Sequence, residues 1–264
     1  MVISARRKVQ EKHFFLQGKQ IFPGGHAEAT GKRPTMEDAA TIIGEFSGPN
    51  TQFYGVFDGH GSAEPSRFAA QKLPSLISDK LSKNIDIKES IVSSIKELNE
   101  TAVEKWRTSG TTVAIVIIMN NKLYTANVGD TRIILVQNGI AKRLSQDHKI
   151  SDPNEQKSVC DRGGVIFQDR VNGILALSRA VGDGNIADCI SCEPFINESD
   201  FDDNCSLIIA CDGVWDVMED QEAAEILCSA SDAAAAARAI KEKAIQKGTQ
   251  DNVTVICVTL KPKE

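Results

Sequence analysis

The pairs Asp58-Gly59 and Asp212-Gly213 each end an apolar run, and Asp251 directly precedes a third run. A strand holds an acid at its end on a rigid base, and glycine permits a close backbone approach to a bound ion. In antiparallel neighbours, the end of one strand lies beside the start of the next. We therefore expect Asp58, Asp212 and Asp251 to meet at one edge of the structure.

Three carboxylates at such short range repel one another unless a cation neutralises them. Mg²⁺ and Mn²⁺ both accept oxygen ligands, so the residue types favour these hard cations without separating them. The alternative for either Asp-Gly pair alone is an ordinary solvated turn. The net charge of -6 gives no sign of the clustered basic surface that binds nucleic acid.

Short apolar segments with turn residues between them predict many strands. Asn120-Asn121 and Asn138-Gly139 each separate two such segments at the spacing of a hairpin. Consecutive hairpins favour antiparallel sheets over a doubly wound parallel sheet. The predicted strands are 39–46, 52–57, 111–119, 123–128, 132–136, 140–144, 206–211 and 253–260.

Helical periodicity predicts two helical blocks early in the chain, at 63–81 and 87–106, and two late, at 222–228 and 233–245. Pro74 is expected to divide the first block into two helices. Each pair of blocks can cover one face of a two-sheet sandwich. The fold class predicted is therefore α+β, a four-layer α-β-β-α sandwich of two mainly antiparallel sheets flanked by helices.

Short motifs follow one another along the chain. They are RPTMED at 33–38, VFDGHG at 56–61, SGTT at 109–112, ANVGDTR at 126–132, DHK at 147–149, RVNG at 170–173, LSRAVGD at 177–183, CDGVWD at 211–216 and QDNVT at 250–254. In this order the motifs resemble those of the metal-dependent protein phosphatases of type 2C (the PPM family). The resemblance covers about residues 25–260 and implies a single catalytic domain over 1–264.

The resemblance implies a centre of two Mg²⁺ or Mn²⁺ ions. By motif position, Asp58 is expected to bridge both metals and the carbonyl of Gly59 to bind one of them. Asp212 and Asp251 are expected to bind the other. Asp147 matches a residue that binds a third, weaker metal ion in relatives.

The remaining site residues also follow from the resemblance. Glu37 and Asp38 are expected to orient metal-bound waters, Arg33 to grip the phosphate with its planar fork, and His60 to protonate the departing oxygen. Water activated between the two ions would hydrolyse phosphoserine or phosphothreonine in proteins in one step, without a phosphoenzyme. The alternatives are a surface arginine for Arg33 and a structural turn histidine for His60.

Two other functions are considered. A pseudophosphatase would use the same fold as a binding or regulatory module, although the expected ligands are all in place here. A dinuclear phosphodiesterase is disfavoured, because the histidine-rich ligand sets common in such enzymes have no counterpart among the four scattered histidines of this chain. The chain departs from the family at Ile150, where many relatives have Pro, and at Thr131, where Ser is frequent. Segment 184–203, expected to belong to a flap beside the site, is short and lacks a basic residue often found after Asp183.

The start of the sequence has no apolar core long enough for a signal peptide, and the run 114–119 is too short to span a bilayer. We therefore expect an intracellular protein, cytoplasmic or nuclear, that is a monomer and binds neither membrane nor nucleic acid. Seven cysteines at irregular spacing fit a reducing compartment. The single CxxC pair, Cys189 and Cys192, is interpreted as a chance pairing rather than a zinc site.

Overall fold

The computed structural model describes residues 13–261, and these form sixteen strands and six helices. The helices are α1 (Glu64–Leu81), α2 (Ile87–Lys105), α3 (Pro153–Asp161), α4 (Asp212–Trp215), α5 (Asp220–Ser229) and α6 (Ala233–Gln246). The strands are β1 (Phe14–Gln17), β2 (Gly24–Ala29), β3 (Ala39–Gly44), β4 (Gln52–Phe57), β5 (Gly59–His60), β6 (Gly110–Thr111), β7 (Val113–Met119), β8 (Lys122–Val128), β9 (Arg132–Gln137), β10 (Ile140–Arg143), β11 (Ile166–Phe167), β12 (Arg170–Val171), β13 (Val181–Gly182), β14 (Phe195–Asp200), β15 (Cys205–Ala210) and β16 (Val253–Thr259).

Two large sheets form the centre of the molecule. One has six strands in the order β1-β3-β4-β7-β8-β14, and the other has five in the order β10-β9-β15-β16-β2. Every pairing in them is antiparallel except that of β1 with β3. The predicted α+β fold with mainly antiparallel sheets is confirmed.

Alternation along the strands divides the core into three apolar layers. In β7, Ile115 and Ile117 pack with α1 and α2, whereas Val116 and Ile118 pack between the two sheets. The outer face of the five-stranded sheet packs with α5 and α6. Because central strands are buried on both faces, they read as continuous apolar runs in the sequence. Helices outside and sheets inside give the four layers.

Both predicted hairpins form. Asn120 and Asn121 have φ values of 54° and 58° between β7 and β8, and Asn138 and Gly139 have 51° and 78° between β9 and β10. Positive φ at both central residues is the type I′ geometry that matches the twist of paired strands. Asparagine and glycine tolerate that conformation, which is why the sequence signal was reliable here.

The predicted division of the first helix at Pro74 is wrong, because α1 runs unbroken through this residue. Proline lacks the N–H that would bond to the carbonyl of Ala70 in the preceding turn. The hydroxyl of Thr41 donates to that carbonyl instead, at 2.8 Å. A side chain of β3 therefore satisfies the acceptor that proline leaves open, and the helix continues.

A subdomain that we call the flap, residues 150–191, lies outside the two large sheets. It contains α3 and the β11–β12 hairpin around its own apolar core, which includes Ile150, Val159, Val171 and Leu177. The flap assigned from sequence, 184–203, is only partly right in extent, since β14 within it pairs with β8 in the six-stranded sheet. Ile150 is fully buried in the flap core, so an apolar side chain there takes part in packing.

The CxxC cysteines belong to different parts of the structure. Cys189 packs against the flap core, whereas Cys192 packs against the helix-side core of the six-stranded sheet. All seven cysteines lie within residues 13–261 and are free thiols. Over that same range, none of the helices is both long and apolar enough to cross a membrane.

Candidate active site

A cavity of about 290 Å³ opens where strand ends of the two large sheets meet. Its lining is mostly polar and includes seven of the nine residues singled out in the sequence, together with one side of the flap. The lining residues are Arg33, Pro34, Thr35, Glu37, Asp58, Gly59, His60, Gly61, Thr112, Asp130, Arg170, Leu175, Ala176, Leu177, Asp212, Asp251 and Asn252.

Three of the predicted acids reach the cavity from two different sheets. Asp58 directly follows β4 of the six-stranded sheet, and its backbone N–H donates to the hydroxyl of Thr112 at 3.1 Å. Asp212 begins α4 just after β15, and Asp251 stands shortly before β16, which pairs antiparallel with β15. The structure therefore brings together the three acids, two from one sheet and the third from the facing sheet.

Glycine at position 59 is required by a neighbouring backbone. A Cβ atom there would lie 2.3 Å from the carbonyl oxygen of Glu37, closer than real Cβ contacts allow. The hydroxyl of Ser66 also donates to that carbonyl. The segment carrying Glu37 and Asp38 is thereby pressed against the strand end that carries Asp58.

Asp38 lies beneath the cavity and is fully buried. Its Oδ2 accepts a hydrogen bond from the Thr254 hydroxyl at 2.7 Å, while Oδ1 is buried and accepts none from the described residues. A carboxylate oxygen of Asp38, one of Asp58 and the thiol of Cys211 all lie within 4.8 Å of one another. Backbone groups already engage the thiol, since the Thr254 N–H donates to it at 3.1 Å and it donates to the Asn252 carbonyl at 3.4 Å.

Burial and mutual repulsion make these carboxylates hard to ionise. Burial raises the pKa of Asp38 to about 6. Burial, and then the charge of Asp38, raise the pKa of Asp58 well above its usual value. Burial, and then the charge of Asp130, do the same to the pKa of Asp212. A bound cation would favour the ionised form of these carboxylates and reduce the repulsion between them.

A lysine side chain borders the acids. The ammonium group of Lys149 lies 3.3 Å from Asp130 and 2.8 Å from Asp216. Asp130 is buried, and burial raises its pKa. The sequence motif around Asp130 was recognised without a role for this residue, and the structure places it in the cavity lining.

Arg33 lies at the mouth of the cavity on the loop before β3. Its guanidinium bonds to Asp251 at 2.6 Å, and 57% of its side chain is exposed. Asn252 fixes this loop, since its side-chain N–H group donates to the carbonyls of Thr30 and Thr35, and its Oδ1 accepts from the Glu37 N–H at 2.8 Å. Asn252 was not assigned a role from sequence, because its long-range contacts leave no local pattern.

His60 lies on β5 at the rim, and an acid missed by the sequence analysis holds it. Its Nε2 atom is 2.6 Å from Oδ2 of Asp183, which is 5% exposed and follows β13. Gly110 on β6 lies between them, where an added Cβ would be 2.1 Å from that oxygen and 2.8 Å from Nε2. The contact thus depends on a glycine as well as on the two partners.

Asp147 is not among the cavity-lining residues. Both of its carboxylate oxygens accept hydrogen bonds from the Arg132 guanidinium, which also bonds to Asp220. Arg132 already supplies the positive charge that a metal ion would offer. For Asp147 to bind a third metal, as the resemblance implies, it would have to release this arginine.

Comparisons with known proteins agree with the motif series. The sequence profile of the family described as protein phosphatase 2C matches residues 24–253. Protein phosphatase 2C homolog 1 of Saccharomyces cerevisiae is 34% identical over 250 residues, covering 86% of this chain and 89% of that protein. The Schizosaccharomyces pombe protein of the same description is 34% identical over 241 residues, with coverages of 86% and 70%.

Solved structures share the fold. A sex-determining protein of C. elegans superposes with a TM-score of 0.83 at 26% identity, covering 92% of this chain and 66% of that chain. A serine-threonine phosphatase 2C from Toxoplasma gondii superposes with a TM-score of 0.78 at 19% identity, covering 92% and 95%.

Proposed function

This chain belongs to the protein phosphatase 2C family and is a protein serine/threonine phosphatase, and we propose that it acts with two Mg²⁺ or Mn²⁺ ions. The observation that carries the proposal is the group formed by Asp38, Asp58, Asp212 and Asp251 at one cavity. Its substrates are phosphoserine and phosphothreonine side chains of proteins.

The residues present fit divalent metal ions. The available donors are carboxylate and carbonyl oxygens, the ligands that hard cations take. Asp38 carries a buried oxygen that accepts no hydrogen bond from residues 13–261, and burial raises the pKa of Asp58 and Asp212. Asp58 and the Gly59 carbonyl would hold ions from one sheet, and Asp212 and Asp251 from the other. Bound cations of this kind lower the pKa of a coordinated water and attract phosphate oxygens.

The other side chains bind the substrate and move protons. Arg33 faces the cavity mouth, where its planar group can bind two phosphate oxygens at once. Glu37 and Asp38 accept hydrogen bonds from water beside the phosphate. His60 donates a proton to the leaving serine or threonine oxygen. Because Nε2 is engaged by Asp183, that proton leaves from Nδ1.

The test is phosphate release from a phosphoserine peptide by chelator-treated protein, before and after adding Mn²⁺ or Mg²⁺. We expect no release without metal and release with either ion. Full activity of the metal-free protein would contradict the proposed centre. A protein that binds the phosphopeptide but releases no phosphate in Mn²⁺ would favour the pseudophosphatase. A phosphodiester assayed in parallel identifies a phosphodiesterase if it is the faster substrate.

A further inference from the structure

Exposed apolar side chains cluster on the flap, at the hairpin that borders the cavity. Val165, Phe167 and Ile174 are 64%, 60% and 58% exposed. They fall within ten residues of sequence, whereas most large apolar side chains of the described chain are buried. Concentrated apolar exposure of this kind marks an interaction surface.

The two faces of the β11–β12 hairpin differ. Ile166 and Val171 lie opposite each other and pack into the flap core. Phe167 and Arg170 form the next opposite pair. Directly opposite residues of antiparallel strands project from the same face, and Arg170 lines the cavity. Phe167 therefore projects on the cavity side of the hairpin.

The same apolar surface continues into the cavity wall. The ring of Phe167 lies beside Gly173, since Cδ1 is 3.5 Å from where a Cβ of that glycine would be. Arg170 donates to the carbonyl of Ile174 at 2.8 Å, and 175–177 follow directly as lining residues. A ligand seated in the cavity thus has Phe167 and Ile174 as its neighbours along the flap.

Hydrogen bonds hold the hairpin in this form. The side-chain oxygen of Asn172 accepts from the Val165 N–H at 2.9 Å, and the Val171 N–H donates to the Leu175 carbonyl at 2.7 Å. Gln168 and Asp169 have φ values of 51° and 55°, the type I′ geometry of a tight hairpin. A surface already ordered loses little conformational entropy when it binds.

We propose that Val165, Phe167 and Ile174 form a docking face for apolar side chains that flank the phosphorylated residue of a protein substrate. This assignment rests on the proposed function. The positive charge of Arg33 is complementary to a phosphate group bound in the cavity. An extended substrate chain advances about 3.3 Å per residue, so residues a few positions from the phosphorylated one reach the docking face. Covering about 50 Å² of apolar surface changes affinity roughly tenfold.

The experiment compares two phosphoserine peptides that differ only in whether the three residues on each side are leucine or serine. The ratio of kcat/KM for the two is measured at saturating Mn²⁺ for the wild type, Phe167→Ser, Ile174→Ser and Ile140→Ser. Ile140 is the matched control, because it is 67% exposed on β10, in the five-stranded sheet and outside the cavity lining. Using a ratio cancels any general loss of activity, and thermal unfolding checks that each variant is folded.

We expect the wild type and Ile140→Ser to favour the leucine peptide by roughly five- to tenfold. Phe167→Ser and Ile174→Ser should bring the ratio close to one. Equal turnover of both peptides by the wild type, or an unchanged ratio in Phe167→Ser, overturns the docking face and leaves the phosphatase intact. Release from neither peptide overturns the proposed function and this proposal with it. If the wild type sediments as a dimer and Phe167→Ser sediments as a monomer, the face serves self-association, and this result also overturns the proposal.

Discussion

Replacing Asp58 by asparagine should stabilise the metal-free protein while abolishing its activity. Carboxylate oxygens of Asp58 and Asp38 lie at most 4.8 Å apart. At an effective dielectric constant of about 20, two unit charges at that distance repel by about 3.5 kcal/mol. Asp58→Asn keeps the shape and removes this repulsion, or the proton uptake by which the raised pKa of Asp58 avoids it in the folded state. Allowing for relaxation of the site, we expect a gain of roughly 1–3 kcal/mol at pH 7, or about 2–10 °C in Tm.

Thermal unfolding in chelator, and again in excess Mn²⁺, is the measurement. Metal should raise the Tm of the wild type well above that of Asp58→Asn, because binding to the native state alone stabilises it. Asp161→Asn, an exposed change on α3, serves as the control and should follow the wild type. Turnover of a phosphoserine peptide by Asp58→Asn should fall by orders of magnitude. A metal-free variant less stable than the wild type, or an equal Tm rise in Mn²⁺ for both, would refute the reasoning.

Three further predictions concern single groups. Burial raises the pKa of Asp38 to about 6, so the folded state keeps a proton that the unfolded chain loses near pH 4. The stability of the metal-free protein should therefore fall as the pH rises from about 4 to 6. A Tm that does not change over this pH range would contradict the prediction. Arg33→Ala should mainly raise the KM for phosphopeptides, and unchanged KM and kcat in steady-state assays would place Arg33 outside the site. His60→Ala should slow phosphoserine-peptide turnover about a hundredfold or more, but p-nitrophenyl phosphate turnover far less, because nitrophenolate leaves without a proton; equal losses would favour a structural histidine.

The sequence predicted the sheets well, because strands buried on both faces leave continuous apolar runs and asparagine marks the hairpin turns. It located α1 but wrongly predicted a break at Pro74, since the bond from Thr41 to the Ala70 carbonyl joins residues far apart in sequence. The Asp-Gly signals located two acids of the cavity. By contrast, nothing local in the sequence shows that Asp183 holds His60, because that contact joins residues 123 positions apart.

Sheet order also affects how the chain can be synthesised. β16 lies between β15 and β2, so the C-terminal strand of the described residues is internal to the five-stranded sheet. β2 has β16 as its neighbour in that sheet and remains without it until Val253–Thr259 have been made. The unpaired N–H and C=O groups of a strand edge can form hydrogen bonds with other chains. The second sheet is therefore completed only after residues 253–259 have been made, and a product stopped before residue 253 would lack an internal strand and expose two edges.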